Sequence, residues 1–255
     1  AGWGLIISRV YMTAVGTAIF VKHRWLAGLR DTIMLDIKLM SSVVSLGFMI
    51  SSETIIVYVG SMIKTKFLVP YGSAHFAASS IMSTFSALCL VPITVLGVVA
   101  VTLVGRYIGA GDKDEAKLIL KKIIRIGYAM YGVVMVAAFF ILPFIFPAYT
   151  KSDETLSLLG KLLIVETLMR IPIMPGLNIM LNGFKAAGDA KFSTVVSVMC
   201  MWIVNVGVGY ILVCKLGLGV VGMLISANLS AIAKFTVMLL RLRSGKWLHK
   251  KMIQQ

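Results

Sequence analysis

Charge is scarce in this 255-residue sequence: only 14% of residues are Asp, Glu, Lys or Arg, and just 10 of them are acidic. Soluble domains carry about 25% charged residues, so a water-facing surface cannot be coated from this composition. With 59% hydrophobic residues and a mean hydropathy of +0.95, packing the excess into one dry core is implausible at this size. A soluble enzyme is excluded on those grounds, and no nucleophile–base constellation is present. Cysteine is nearly lacking too. Cys89, Cys200 and Cys214 lie far apart in apolar stretches, with neither disulfide-framework nor metal-ligand spacing, and read as small buried hydrophobes. No Gly-rich loop ending in Gly-Lys-Ser or Gly-Lys-Thr occurs, so ATP is not the expected energy source.

What the chain has instead is long apolar runs and a net charge of +15. Nucleic-acid binders collect their Lys and Arg on one solvated face and are not greasy overall. Here the basic residues cluster between apolar runs, so nucleic acid is not an expected partner. A transmembrane helix needs roughly 20 mostly apolar residues, and seven such segments follow one another: Leu5–Val21, Ser41–Met62, Ala74–Gly105, Ile123–Phe146, Leu156–Leu181, Phe192–Cys214 and Gly217–Leu240. Barrel strands would alternate, and these runs do not. The fold class is therefore an all-α integral membrane protein with about seven transmembrane helices in a lipid bilayer. The third and fifth segments exceed a bilayer's needs, which predicts tilt or kinks.

Seventeen Lys and Arg fall in the connections after the odd-numbered segments, against five on the opposite side. Basic connectors stay in the cytoplasm, which predicts a multi-pass protein of the cell (inner or plasma) membrane with a cytoplasmic C-terminus. The chain opens on Ala-Gly-Trp without methionine or signal peptide, so an upstream portion is expected. The organisation read from these runs is a first helix at 1–21, an amphipathic cytoplasmic linker at 22–40, a six-helix lobe at 41–243 and a tail at 244–255. A weak internal echo joins Gly109-Ala110-Gly111-Asp112 to Ala186-Ala187-Gly188-Asp189. Gly ends a helix in a left-handed conformation and Asp caps the next.

Those two turns carry a family resemblance. Leu103-Val104-Gly105-Arg106-Tyr107-Ile108-Gly109-Ala110-Gly111-Asp112 resembles the LVGQNLGAGD stretch of the multidrug and toxic compound extrusion (MATE) family. Gly183 to Phe192 is similar to its GALRGAGDTRFP stretch. Met201-Trp202 through Tyr210, Leu216 to Gly219 and Leu240 to Trp247 continue the likeness. Placed on the family's twelve-helix plan, the seven segments resemble its sixth helix plus the C-terminal six-helix lobe, with the N-terminal lobe missing. Ser8-Arg9 is similar to the sixth helix. The resemblance implies antiport: export of small organic, often cationic, drug-like compounds against inward H⁺ or Na⁺, with no cofactor, by alternating access of two lobes. The alternatives are a lipid-linked sugar flippase of the same superfamily, or a non-transporting truncated lobe.

Ionisable groups at membrane depth are costly and mark candidate sites. Glu53, in Ser51-Ser52-Glu53-Thr54, is the first candidate for binding the coupling cation; otherwise it is an interface carboxylate held by nearby hydroxyls. Many family members have a glutamate near this place. Glu166 is the second candidate, with Arg170 four residues on and facing it as an ion pair or pKa-tuning partner. The Na⁺-coupled branch carries an aspartate in its tenth helix where this chain has Met174. Arg9 lies inside the first segment, and Asn205 stands where the family often has Arg. Pro172 and Pro175 interrupt the fifth segment and free carbonyls near Asn178 and Asn182, which would line a cavity or simply sit at a kink.

Overall fold

The computed structural model describes residues 2–22 and 37–249. The chain divides into two compact units, Ala1–Leu46 and Gly47–Gln255, and the division falls within a helix. The first unit contains α1, Gly2–Lys22. There Thr13 and Thr17 return their hydroxyls to the carbonyls four residues back, at 2.8 Å each, so their polar groups are satisfied within the helix. The linker expected at 22–40 lies largely outside the described residues, as does the end of the tail; the residues from Ile37 onward open α2, Ile37–Lys66.

The second unit is a bundle of long helices. After α2 come a 3₁₀ turn at Val69–Tyr71, α3 (Gly72–Gly109), α4 (Lys113–Tyr149), α5 (Asp153–Arg170) and α6 (Met174–Ala186). Helix α7 starts as Ala190–Met199 and continues as π-helix through Cys200–Val208 and Ile211–Lys215. Helix α8 is Gly219–Ser244, followed by a 3₁₀ turn at Lys246–His249. With α5 and α6 as the two halves of one traverse, all seven expected segments are helical.

Two expected boundaries shift for local reasons. Helix α4 starts ten residues before Ile123, because Asp112 caps it by accepting the Glu115 amide at 3.1 Å. Its basic first turns also bury Ala116 and Leu120, a stripe at helical spacing. The fifth segment is not one helix but two. Pro172 has no N–H to continue the ladder, and the chain turns at Ile171–Ile173 before restarting with Pro175 in the first turn of α6.

By length and composition, four described stretches are apolar enough to cross a membrane: Ser51–Gly109, Lys113–Tyr149, Ala190–Lys215 and Gly219–Ser244. The α5–α6 traverse is not among them, being broken and carrying Asp153, Glu154, Lys161, Glu166 and Arg170. Many large apolar side chains face outward, Phe144 at 86% exposure and Phe140 at 65%, as expected where lipid replaces water.

Two clusters form the interior. One joins α3, α4, α6 and α8 through Ile93, Ile123, Ile179, Phe184 and Met238, and receives Trp247 from the tail. The other joins α3, α4, α5 and α8 through Met82, Phe146, Leu162 and Val220. Close approach of helices depends on glycine at few places. A β-carbon on Gly97 of α3 would stand 2.7 Å from Asn182 Nδ2 and 3.0 Å from Asn178 Oδ1.

Candidate functional site: a charged cavity in the bundle

A cavity of about 280 Å³ lies among α2, α3, α5 and α8. Lys64 comes from the last turn of α2, Ser79, Ser83 and Ser86 from one face of α3, Glu166 and Arg170 from α5, and Met223 from α8. The α3 serines recur at i, i+4 and i+7, the spacing that stacks side chains on one helical face. Arg170 sits in the last turn of α5, where the helix dipole favours a cation. Its guanidinium closes back on Glu166, four residues earlier, at 2.5 Å.

Glu166 is 1% exposed. Its Oε1 accepts from Ser86 Oγ at 2.5 Å as well as pairing with Arg170. Its Oε2 is buried with no hydrogen-bond partner among the described residues. A buried carboxylate oxygen normally finds one, so this lone pair set is available to an incoming proton or cation. Tyr131 of α4 lies beside the pair.

Glu53 has a different environment. Its Oε2 accepts from Thr194 Oγ1 at 2.8 Å and from Lys185 Nζ at 3.1 Å, so α2 is tied there to the end of α6 and the start of α7. Eleven residues on, Lys64 Nζ donates to Asn205 Oδ1 at 2.5 Å. Between them Met201 packs against Gly60. The pairs 53–194 and 64–205 share one offset of 141 residues, and 60–201 keeps it. Helices α2 and α7 therefore run parallel in a constant register. Asn205 sits in the π-helical part of α7, a conformation frequent at functional sites.

The remaining candidates lie elsewhere. Asn182 Nδ2 donates to the Asn178 carbonyl at 2.9 Å and to its Oδ1 at 3.1 Å, and both asparagines pack on Gly97 in the α3–α6 contact. The carbonyl of Pro172 at the break accepts from Tyr128 Oη at 2.8 Å. Arg9 is exposed on α1. Lys64 is the residue that sequence reasoning passed over. It looks like one more charge at a connector, and its only sequence signal is the eleven-residue, same-face spacing from Glu53.

Among the described residues no three His, Cys, Asp or Glu side chains gather as a metal cluster.

A bundle of long apolar helices with few charges, several of them gathered at one cavity, fits a multi-pass membrane protein, and its likeness to known proteins points to a transporter. A family model, MatE, matches residues 50–211, and the chain belongs to that family. It is 25% identical over 183 residues to the probable multidrug resistance protein YoeA of Bacillus subtilis, covering 72% of this chain and 39% of that protein. It is 24% identical over 210 residues to the probable multidrug resistance protein NorM of Thermotoga maritima, covering 80% and 44%. Among solved structures, the Vibrio cholerae MATE transporter VcmN in its bent form matches with a TM-score of 0.75 at 18% identity, covering 93% of this chain and 55% of that one. The MATE transporter ClbM, in complex with Rb⁺, matches at 0.73 and 19%, covering 87% and 52%. The chain thus spans about two-fifths of the length of these curated relatives, and its fold is that of a partial MATE lobe.

Proposed function

We propose that this chain is about half of a cation-coupled efflux transporter, exporting organic, drug-like compounds in exchange for inward H⁺ or Na⁺. The missing half of the substrate path would come from an N-terminal lobe, and the protein would sit in the cell membrane with its basic turns and C-terminus in the cytoplasm. The observation that carries the coupling role is the partnerless Oε2 of Glu166 beside the cavity. Glu166 takes precedence over Glu53 in this reading, because Glu166 lines the cavity and Glu53 is not among its lining residues.

The chemistry follows from charge balance. With the cavity empty of a cation, Arg170 and Ser86 share the Glu166 charge. A proton or Na⁺ arriving at Oε2 neutralises the carboxylate and weakens its attraction for Arg170. Since Ser86 belongs to α3 and Glu166 to α5, the same event loosens a cross-helix tie. The break at Ile171–Ile173, next to Arg170, is a place where α5 could move separately from α6, in keeping with discontinuous helices at transporter sites. A single carboxylate with hydroxyl neighbours suits a proton or a monovalent ion, and the related ClbM has been solved with Rb⁺. The multidrug names of the relatives support drug-like compounds as cargo.

The test is Glu166→Gln in the full-length transporter, reconstituted in loaded vesicles under imposed Na⁺ or pH gradients. Gradient-driven efflux should fall at least tenfold, about 1.4 kcal/mol or more in the barrier to transport, with the protein still folded. Efflux unchanged under both gradients would remove Glu166 from the coupling step.

A further inference from the structure

Lys64 raises a question that cation coupling does not answer. It is 5% exposed. Its Nζ donates to Asn205 Oδ1 at 2.5 Å and to the Met223 carbonyl at 3.3 Å. Both acceptors are neutral, and no ion pair compensates this ammonium among the described residues. Asn205 is turned to give its oxygen to Lys64, leaving its own Nδ2 on the weak acceptor Met201 Sδ at 3.0 Å. An ammonium has three donors; two are used here, and the side chain lines the cavity. Lys234 of α8 adds repulsion from a like charge.

Around the same cavity the charges do not balance. Lys64 and Arg170 contribute two positive charges and Glu166 one negative. A buried uncompensated cation is costly, and the compensation that the protein omits can come from a ligand. The cavity, at about 280 Å³, holds the equivalent of roughly nine waters, enough for a small anion with part of its hydration. Ser79 and Ser83 line it as well.

We propose that this cavity binds a compact monovalent anion, a carboxylate or halide, held by the Lys64 ammonium, with the Arg170 guanidinium as the second cation in its wall. The site goes beyond the coupling role of Glu166 and stands without it: the excess positive charge is there whether or not Glu166 takes a cation. The two are linked in one direction. Neutralising Glu166 raises the net cavity charge from one to two, so anion binding strengthens.

The experiment follows thermal unfolding of the purified full chain in detergent at fixed Na⁺, pH and ionic strength, balanced with sodium methanesulfonate, which is neither a carboxylate nor a halide. Sodium acetate and sodium bromide are titrated separately, with acetamide as the neutral match to acetate. A saturable rise in Tm is expected with acetate, bromide or both, and none with acetamide. Response to acetate alone assigns a carboxylate site, and response to bromide alone a halide site. Lys64→Met should abolish the saturable response, and Glu166→Gln should tighten it roughly tenfold. A response that fails to saturate with either salt, or that survives Lys64→Met, overturns the proposal. Should Lys64→Met not fold, crystals of the unaltered protein grown in whichever salt gave the saturable rise decide the matter: density for that anion beside Lys64 supports the site, and a cavity without it overturns it. Because no gradient or cargo is involved, failure here is separate from failure of the efflux reading.

Discussion

Two buried Arg–carboxylate pairs occupy the second unit, and their surroundings could hardly differ more. Glu166 and Arg170 meet at 2.5 Å, and Asp189 and Arg241 at 2.9 Å, with both carboxylates at or below 2% side-chain exposure and both arginines near 16–17%. The first pair is local to one helix and borders a cavity. The second bridges the turn before α7 to the last turn of α8. There Arg241 lies over the Phe192 ring at 4.5 Å, and Trp247, fully buried, packs on Phe184 at 5.3 Å. Burial alone therefore does not mark a working charge. A pair beside a cavity has room for an ion or water next to its charges, whereas the Asp189–Arg241 pair has an aromatic ring stacked on its guanidinium.

The strongest way to break this comparison is to remove one carboxylate from each pair. Asp189→Ala leaves Arg241 buried and uncompensated under packed rings, and should cost about 3–5 kcal/mol. Glu166→Gln leaves Arg170 next to a cavity that can admit water or an anion, and should cost roughly 1 kcal/mol. Unfolding of the two variants in the same detergent measures the difference. Equal losses would mean that the cavity gives Arg170 no relief, and the division into a cavity-side and a ring-stacked pair would fail.

A smaller effect concerns how the cavity's wall is held. Gly97 allows α3 to approach the Asn178–Asn182 pair of α6. Gly97→Val should push those helices apart and destabilise by about 1–3 kcal/mol. The site is on the α3–α6 side rather than at the cavity, so the anion affinity of the folded fraction should stay within about twofold, less than roughly 0.5 kcal/mol. A larger loss of affinity would show that the cavity depends on this contact.

What could be read from the sequence follows from how local each feature is. The seven helices are legible because apolar runs of that length have one stable form in lipid. The α5–α6 break is written in Pro172 and Pro175, and the Glu166–Arg170 pair in a spacing of four. Long-range partners are another matter. That Glu53 meets Lys185 and Thr194, and Lys64 meets Asn205, depends on the register between α2 and α7. No residue in either helix states that register. The π-helical stretch of α7 has no local signature either: Cys200–Val208 is simply apolar apart from Asn205. Lys64 was hidden for the same reason, since a lysine near a helix end looks solvated until packing buries it.

The two Gly-Asp turns offer the finest test of local sequence against environment. In both, the glycine takes a positive φ, 83° at Gly111 and 82° at Gly188. In both, the aspartate amide donates five residues back at 2.9 Å, to Tyr107 and to Phe184. The backbone echo is thus real, but the side chains have separated in role. Asp112 caps α4 through the Glu115 amide, while Asp189 makes no cap to α7 and turns to Arg241 instead. Asp112→Ala should therefore cost only about 1 kcal/mol, the worth of an N-cap, and Asp112→Ser should recover most of it, since a hydroxyl can accept the same amide. Asp189→Ser should recover little, because a hydroxyl does not neutralise a guanidinium. Unfolding of the four variants side by side reads this directly, and rescue by serine at both positions would mean that the two turns are equivalent after all.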